Sequence, residues 1–158
     1  MIAGIGIDIC EVSRMRSALE ATTGARFRDR VFTPAEQAYC EARKRGRFES
    51  YAARFAAKEA AMKVLGSGWG QGVGWRDIEV VRDETGPPSL RLHGEAAALA
   101  RRQRMARWLV TLSHSDSSAI AWVLAERGGR VSASSSTSAQ SRRAAAAKSA
   151  PPRPRSRR

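Results

Sequence analysis

The stretch RFAAKEAAMK, residues 54–63, decides the fold, because its composition predicts the middle of a long helix. It is rich in alanine and contains neither glycine nor proline, which favours a helix over a strand. The surrounding pattern predicts a helix over about residues 48–65 that ends at Gly66. We therefore expect this helix to be the central element of the protein.

Charged residues lie beside the apolar side of this helix. At about 100° per residue, one side carries Tyr51, Phe55, Met62 and Leu65. Lys58 falls close to that stripe, Glu59 lies at its edge, and Lys63 follows one turn later as an i, i+4 partner of Glu59. Two interpretations fit: a solvated Glu–Lys pair with the stem of Lys58 snorkelling past the core, or part of a functional site.

The N-terminal segment IAGIGIDICEV, residues 2–12, predicts a strand with two different faces. One face has Ile5, Ile7 and Ile9; the other has Gly4, Gly6, Asp8 and Cys10. The small residues leave open space beside Asp8, and glycine within a strand marks close approach by a backbone or a ligand. A bulge or a twist of the strand is the alternative explanation.

Asp8 and Glu59 together suggest a metal site. A strand and a helix that meet could bring these two carboxylates to one hard cation. Mg²⁺ is typically held by one or two carboxylates together with phosphate oxygens and water. The pair therefore predicts a magnesium site, with Lys63 beside it.

The remaining pattern predicts an α+β fold. Thr33, Pro34 and Glu36 form a capping box that begins a helix extending to about Arg43. Residues 76–93 read as a hairpin, 94–106 as a helix, and 107–115 with 118–126 as two further strands. The order is a strand, three helical segments, a hairpin, a helix and a strand pair. Short connections favour antiparallel pairing, so we expect a mostly antiparallel sheet packed with a long central helix in a single domain, residues 1–126.

The basic charge of the chain is concentrated in its C-terminal part. The net charge is +13, yet all 15 acidic residues lie in 1–126, and residues 127–158 contain nine Arg or Lys, which leaves +4 for 1–126. The segment 127–158 is rich in Ser, Ala, Arg and Pro, so we predict a disordered basic tail. Such a tail is either a neutral extension or a weak binder of polyanions. Because the tail accounts for most of the charge, specific nucleic-acid binding is not expected.

The sequence favours a cytoplasmic protein. Cys10 and Cys40 have no metal-type spacing and suggest no disulfide framework. No apolar run approaches the roughly 20 residues of a membrane helix. The N-terminus lacks the basic region of a signal peptide.

Two further segments carry polar groups. The loop GSGWGQG, residues 66–72, could offer backbone N–H groups to phosphates or be an ordinary connection. The run Ser113–His114–Ser115 lies at a strand end. Because neighbouring strand residues point to opposite faces, this run cannot assemble a hydrolase triad. His114 is then either a phosphate contact or a hydrogen-bonded histidine at the strand end.

Several of these segments match one family in order. GIGIDICEVSRM, RVFTPAEQAYC, SYAARFAAKEAAMKVLGSG, VGWRDIEV, GPPSLRLHGEA and LSHSDSSAIAWVLAE resemble the holo-acyl-carrier-protein synthases, the small group of 4′-phosphopantetheinyl transferases. The similarity covers about residues 1–126. Its specificity comes from the combination of GIGID with RFAAKEA.

The resemblance implies a reaction, an assembly and a site. Such enzymes transfer phosphopantetheine from coenzyme A to a serine of an apo acyl carrier protein, use Mg²⁺, release adenosine 3′,5′-bisphosphate and form homotrimers with sites between protomers. Asp8 and Glu59 would bind the metal, Lys63 would face the phosphates or the attacking hydroxyl, and Arg14 would contact the acidic carrier. The residues expected near coenzyme A are Arg54, Lys58, Gly66, Gly68, Ser113, His114 and Ser115. Glu59, Lys63 or a metal-bound water would accept the hydroxyl proton.

Two other functions remain open at the level of the sequence. The basic tail could make the protein a nucleic-acid binder, or the domain could bind coenzyme A without transferring anything. The carrier that would be served, of fatty-acid or of polyketide synthesis, is also left open.

Overall fold

The computed structural model of the protein describes residues 1–67, 72–82 and 86–128. Of the predicted disordered tail, only Arg127 and Gly128 are among these residues. Gly68 and the tip of the predicted hairpin also lie outside the described residues. The order of the elements is β1 (Ile2–Glu11), α1 (Val12–Glu20), α2 (Gly24–Val31), α3 (Pro34–Glu41), α4 (Arg47–Leu65), β2 (Ile78–Val81), β3 (Ser89–Leu92), α5 (Gly94–Arg102), β4 (Met105–His114) and β5 (Ser118–Arg127). A single 3₁₀ turn, Trp75–Asp77, precedes β2.

The predicted α+β class with antiparallel pairing is confirmed. One sheet has three strands in the order β1-β5-β4, and a separate sheet pairs β2 with β3. All three strand pairings between these elements are antiparallel. The strands therefore form two small sheets, where the sequence predicted one.

Four helices, not three, separate β1 from β2 in the part of the chain that is described. The sequence did not place α1 and α2, because neither has a side-chain cap and only three residues lie between them. The capping box of Thr33 and Glu36 is present as predicted. α5 ends at Arg102 and β4 begins at Met105, earlier than expected, because Arg104 adopts a left-handed φ of 58° that turns the chain.

α4 is buried on nearly all sides and does not show the single apolar stripe that the sequence predicted. Its small residues allow close packing, since Ala52, Ala56, Ala57, Ala60 and Ala61 are fully buried. Across from it, β5 presents its own small residues: Ala119, Ala121, Val123 and Ala125. The core of the protein is therefore this alanine-rich helix against one face of the three-stranded sheet.

The opposite face of that sheet is exposed and apolar. We call this surface the exposed apolar face; it consists of Ile5, Ile7, Ile9, Leu109, Ile120 and Trp122. The strand register places Ile7 beside Trp122 and Ile9 beside Ile120. Ile9 is 64% exposed and Trp122 is 52% exposed, although a monomeric protein rarely exposes a contiguous apolar surface of this kind. The isoleucine row of β1 is thus outside the core of the single chain.

None of the helices described has the length and apolar character needed to cross a membrane.

Candidate functional site

The site begins at the close contact between β1 and α4. A Cβ atom added to Gly6 would lie 2.2 Å from the carbonyl oxygen of Ala60, and one added to Gly4 would lie 3.1 Å from Val64 Cγ1. The glycines therefore mark close approach by a backbone, one of the two possibilities raised by the sequence. The open space expected beside Asp8 is filled at these positions by α4.

This contact brings Lys63 of α4 onto the carboxyl-terminal half of β1. Its Nζ donates to Asp8 Oδ1 at 2.8 Å and to the carbonyl oxygen of Ile7 at 2.8 Å. The side chain of Asp8 is 19% exposed and that of Lys63 is 52% exposed. The ammonium can therefore leave Asp8 for solvent or for a ligand without opening the core.

Glu59 lies at the same end of the β1–α4 contact. Burial raises the pKa of the Cys10 thiol to about 11; Arg14 opposes this shift, and the carboxylates of Asp8, Glu11 and Glu59 add to it. Glu59 precedes Lys63 by one turn of α4, so it lies on the same side of the helix as the ammonium that contacts Asp8. The contact that the structure shows directly joins Asp8 and Lys63, and the grouping of Glu59 with Asp8 stays a prediction.

The donor set fits Mg²⁺. Within the described ranges, no group of three or more His, Cys, Asp or Glu side chains could hold a metal ion. Mg²⁺ does not require such a cage, because one or two carboxylates, substrate phosphates and water complete its six oxygen ligands. Asp8 on β1 and Glu59 on α4 would supply two hard oxygen ligands to such an ion.

The expected contact between Lys58 and coenzyme A is wrong. Lys58 is fully buried, and its Nζ lies 2.8 Å from Glu36 Oε2 and also bonds the carbonyl oxygens of Trp75 and Ile78. Burial lowers the pKa of Lys58, and the Glu36 carboxylate opposes that shift. The sequence could not reveal this partner, because Glu36 is already explained by its capping box and lies 22 positions before Lys58.

Arg54 is also buried, at 3% exposure. Its guanidinium lies 3.9 Å from the centre of the Tyr39 ring, and Nη1 donates to the carbonyl oxygen of Ser50 at 3.3 Å. Its Nε has no hydrogen-bond partner among the residues that the structure describes. Arg54 therefore lies between α3 and α4, and no contact joins it to the Asp8 group in the part of the chain described.

The end of α4 is open. Gly66 caps the helix with a left-handed φ of 67°, and a Cβ atom added there would meet none of the described residues within 4 Å. The Gly66 N–H donates a hydrogen bond to the carbonyl oxygen of Lys63. Gly68, the second predicted phosphate contact of this loop, lies outside the described residues.

The Ser113–His114–Ser115 run lies at the end of β4, in a shallow recess of about 270 Å³. The register pairs His114 with Ala119, which in turn pairs with Cys10. Two strand spacings put His114 about 10 Å across the sheet from Cys10. Ser115 is occupied in the turn, where its Oγ accepts from the N–H groups of Ser117 and Ser118. This run therefore lies two strands away from Asp8 in the sheet.

Arg14 lines a small recess beside α1 that the sequence did not predict. The recess has a volume of about 170 Å³, and its walls are Ile9, Cys10, Arg14, Met15, Ala18, Phe27 and Phe55. An apolar floor with a guanidinium at its side suits a partner that offers an apolar side chain next to a carboxylate. No periodic signal predicted it, because its walls come from β1, α1, α2 and α4.

Comparisons with known proteins agree with this architecture. Residues 4–123 match the 4′-phosphopantetheinyl transferase superfamily. The chain is 45% identical to the holo-[acyl-carrier-protein] synthase of Solibacter usitatus (strain Ellin6076) over 126 residues, which are 80% of this chain and 99% of that protein.

Solved structures show the same fold. The crystal structure of the holo-[acyl-carrier-protein] synthase of Neisseria meningitidis has a TM-score of 0.72 and 30% identity, and covers 80% of this chain and 100% of that one. The enzyme of Bacillus anthracis str. Ames, in complex with CoA (3′,5′-ADP), has a TM-score of 0.65 and 36% identity, and covers 81% of this chain and 99% of that one. The chain therefore belongs to the holo-acyl-carrier-protein synthases of the 4′-phosphopantetheinyl transferase superfamily.

Proposed function

We propose that this protein transfers 4′-phosphopantetheine from coenzyme A to a serine hydroxyl of an apo acyl carrier protein, with Mg²⁺, and releases adenosine 3′,5′-bisphosphate. The observation that carries the proposal is the contact of Lys63 with Asp8, with Glu59 one helical turn before Lys63 on α4, in a chain of this family. Two carboxylates and an ammonium are the groups that phosphoryl transfer uses for positioning and for charge neutralisation.

Each side chain has a defined task. Asp8 and Glu59 would hold Mg²⁺, which supplies charge neutralisation at the pyrophosphate oxygens. Lys63 is half-exposed and would move from Asp8 to a phosphate oxygen. The serine oxygen forms a bond to the β-phosphorus, and the bond from that phosphorus to the bridging oxygen breaks. The electron pair leaves with adenosine 3′,5′-bisphosphate.

The serine proton is proposed to pass to Glu59 or to a metal-bound water. The side chain of Lys63 already donates to Asp8 and to the carbonyl oxygen of Ile7, which favours a role for it in holding charge.

The coenzyme is proposed to bind between protomers of a homotrimer. His114 lies two strands away from Asp8 within one chain, so a site shared between chains would explain why the family motif includes it. The exposed apolar face supports this assembly, because a second copy would bury its isoleucines and Trp122. Ser113 lies beside Ile120 in the register and would be at the same junction, with Ser115 next to it.

The carrier protein is proposed to dock at Arg14 and the recess beside it. Arg26 and Arg30 follow on α2 and line an adjacent recess that shares Phe27 with the first, so this side of the molecule presents three guanidiniums to an acidic partner. Complementary charge would mainly speed the encounter. The buried, unpaired thiols of Cys10 and Cys40 agree with the reducing cytoplasm that we propose as its location.

Mass spectrometry tests the proposal. An apo acyl carrier protein is incubated with the full chain, coenzyme A and Mg²⁺, and the small-molecule products are separated in parallel. We expect the carrier to gain one phosphopantetheine and an equal amount of adenosine 3′,5′-bisphosphate to appear, with both lost when EDTA is added. Coenzyme A that binds without any mass gain on the carrier would instead support a silent binder.

A further inference from the structure

The buried ion pair of Lys58 and Glu36 lies on the side of α4 that faces away from β1. The two side chains are 0% exposed, and Nζ and Oε2 are 2.8 Å apart. Nζ also donates to the carbonyl oxygens of Trp75, at 3.1 Å, and Ile78. Three acceptors use all three N–H groups of the ammonium. The middle of α4 is thereby attached to α3, to the 3₁₀ turn and to the start of β2.

Glu36 is equally well bonded. Its Oε2 accepts from the Thr33 N–H at 2.9 Å, and its Oε1 accepts from the Val80 N–H at 2.9 Å. Thr33 Oγ1 in turn donates to Glu79 Oε1 at 3.2 Å. A buried network in which every member is bonded holds a unique arrangement. The ion pair is therefore a fixed point against which α4 is held.

The opposite side of α4 is fixed by β1. Ala60 and Val64 pack on Gly6 and Gly4, and on a helical wheel they lie about 200° and 240° from Lys58. Glu59 and Lys63 lie between the two attachments, about 100° and 140° from Lys58. The helix is thus held by contacts on two sides, which restrict its rotation about its axis.

Rotation is the movement to which the site is most sensitive. A side-chain group about 6 Å from a helix axis moves about 1 Å when the helix rotates by about 10°. A misplacement of about 1 Å in an active site can cost about 100-fold in rate. A small loss of control over α4 would therefore damage the chemistry without unfolding the protein.

We propose that the Lys58–Glu36 pair is a positioning device that sets the rotation of α4 and aims Glu59 and Lys63 at Asp8. This inference rests on the proposed function, which gives those three residues their roles. A role in position can be separated from a role in stability, because well-packed uncharged side chains often replace a buried ion pair without loss of stability.

Two variants make the test: Glu36→Gln, which keeps an oxygen for the capping box, and the double variant Lys58→Met with Glu36→Gln, which leaves no unpaired charge. The measurements are the thermal midpoint, kcat and KM for carrier labelling, and Mn²⁺ binding followed by electron paramagnetic resonance with coenzyme A present. We expect kcat to fall about 10-fold in the single variant and about 100-fold in the double variant. Mn²⁺ binding should weaken about 10-fold, while KM for the carrier stays unchanged.

Ile78→Val is the matched control, because it trims a buried side chain beside the same network without removing a bonded group. It should lower the thermal midpoint and leave kcat and Mn²⁺ binding at wild-type values. Folded ion-pair variants with wild-type kcat and wild-type Mn²⁺ binding would overturn the positioning role. If the wild-type chain did not label a carrier, the proposed function would fail. Mn²⁺ binding in the wild type and in the ion-pair variants would then decide by itself whether the pair positions the carboxylates.

Discussion

Asp8, Glu59 and Lys63 form a small charge system at the end of the β1–α4 contact. Two carboxylates and one ammonium give this group a formal charge of −1, which attracts a divalent cation. With a dication bound, the formal charge becomes +1, which suits a pyrophosphate. Under the proposed function, the same three residues would hold the metal and then favour the pyrophosphate of the coenzyme.

Cys10 lies beside this group, yet its thiol is not prepared for chemistry. Burial raises the pKa of Cys10 to about 11 and that of Cys40 to about 12. At pH 8 the thiolate fraction is then about 1 in 1,000 for Cys10 and lower for Cys40. We expect both thiols to react with a chromogenic disulfide at least about 100-fold more slowly in the folded protein than in strong denaturant. A thiol that reacts equally fast in both states would contradict this assignment of burial.

At the scale of elements, the distance between α4 and β1 is set by glycine. Gly6→Ala would place a methyl group 2.2 Å from a backbone oxygen of α4, which cannot move aside as a flexible side chain could. We expect a loss of about 3 kcal/mol of unfolding free energy, measured by urea denaturation. Gly66→Ala is the comparison, since its methyl group meets no atom of the described residues and strains a left-handed φ, at a cost of about 1 kcal/mol. Equal losses in the two variants would contradict a close helix–strand contact.

The β2–β3 hairpin is tied to α3 through Glu79. The pKa of Glu79 is lowered. Burial acts to raise it, but hydrogen bonds with His93, at 2.8 Å, and with Thr33 lower it by more. A lowered carboxyl pKa contributes stability above the unfolded value of about 4.3, and that stability is lost as the pH falls through the folded value.

Glu79→Gln should therefore reduce the unfolding free energy by about 1 kcal/mol at pH 7 and by less at pH 4, where part of the wild-type contribution is already lost. Urea denaturation at the two pH values measures both losses. Glu126→Gln, which breaks a surface pair with Arg107, should change stability by less than about 0.5 kcal/mol. A loss at Glu79 that grows as the pH falls would contradict the sign of the shift.

At the scale of the whole molecule, the exposed apolar face predicts self-association. Ile7→Lys would put a charge at its centre, beside Trp122. We expect the assembled wild-type protein to become monomeric in this variant, as measured by size-exclusion chromatography with light scattering, and coenzyme labelling to fall with it. Ala35→Lys, on the exposed side of α3, should leave the assembly intact. A monomeric wild-type protein with full activity would contradict the shared site.

The sequence predicted the parts of this molecule that depend on local pattern. The α4 helix, the capping box of Thr33 and the hairpin of β2 and β3 follow from composition, spacing and turn residues. It did not predict which face of β1 is buried, because alternation shows only that the strand has two different faces. The face that packs on α4 consists of small residues, whereas the apolar isoleucine face is exposed. Nor could it predict the burial of Lys58, because its counter-charge comes from a distant helix.

The most direct test of the central claim is the rate of carrier labelling in Asp8→Asn and Glu59→Gln, with Glu11→Gln as the control on the same strand. Glu11 is exposed, and its side chain forms no cap bond to α1. We predict that Asp8→Asn and Glu59→Gln each lose at least about 100-fold in Mg²⁺-dependent labelling and keep the circular dichroism spectrum of the wild type, while Glu11→Gln stays within about 2-fold. Wild-type labelling rates in both Asp8→Asn and Glu59→Gln would contradict the account.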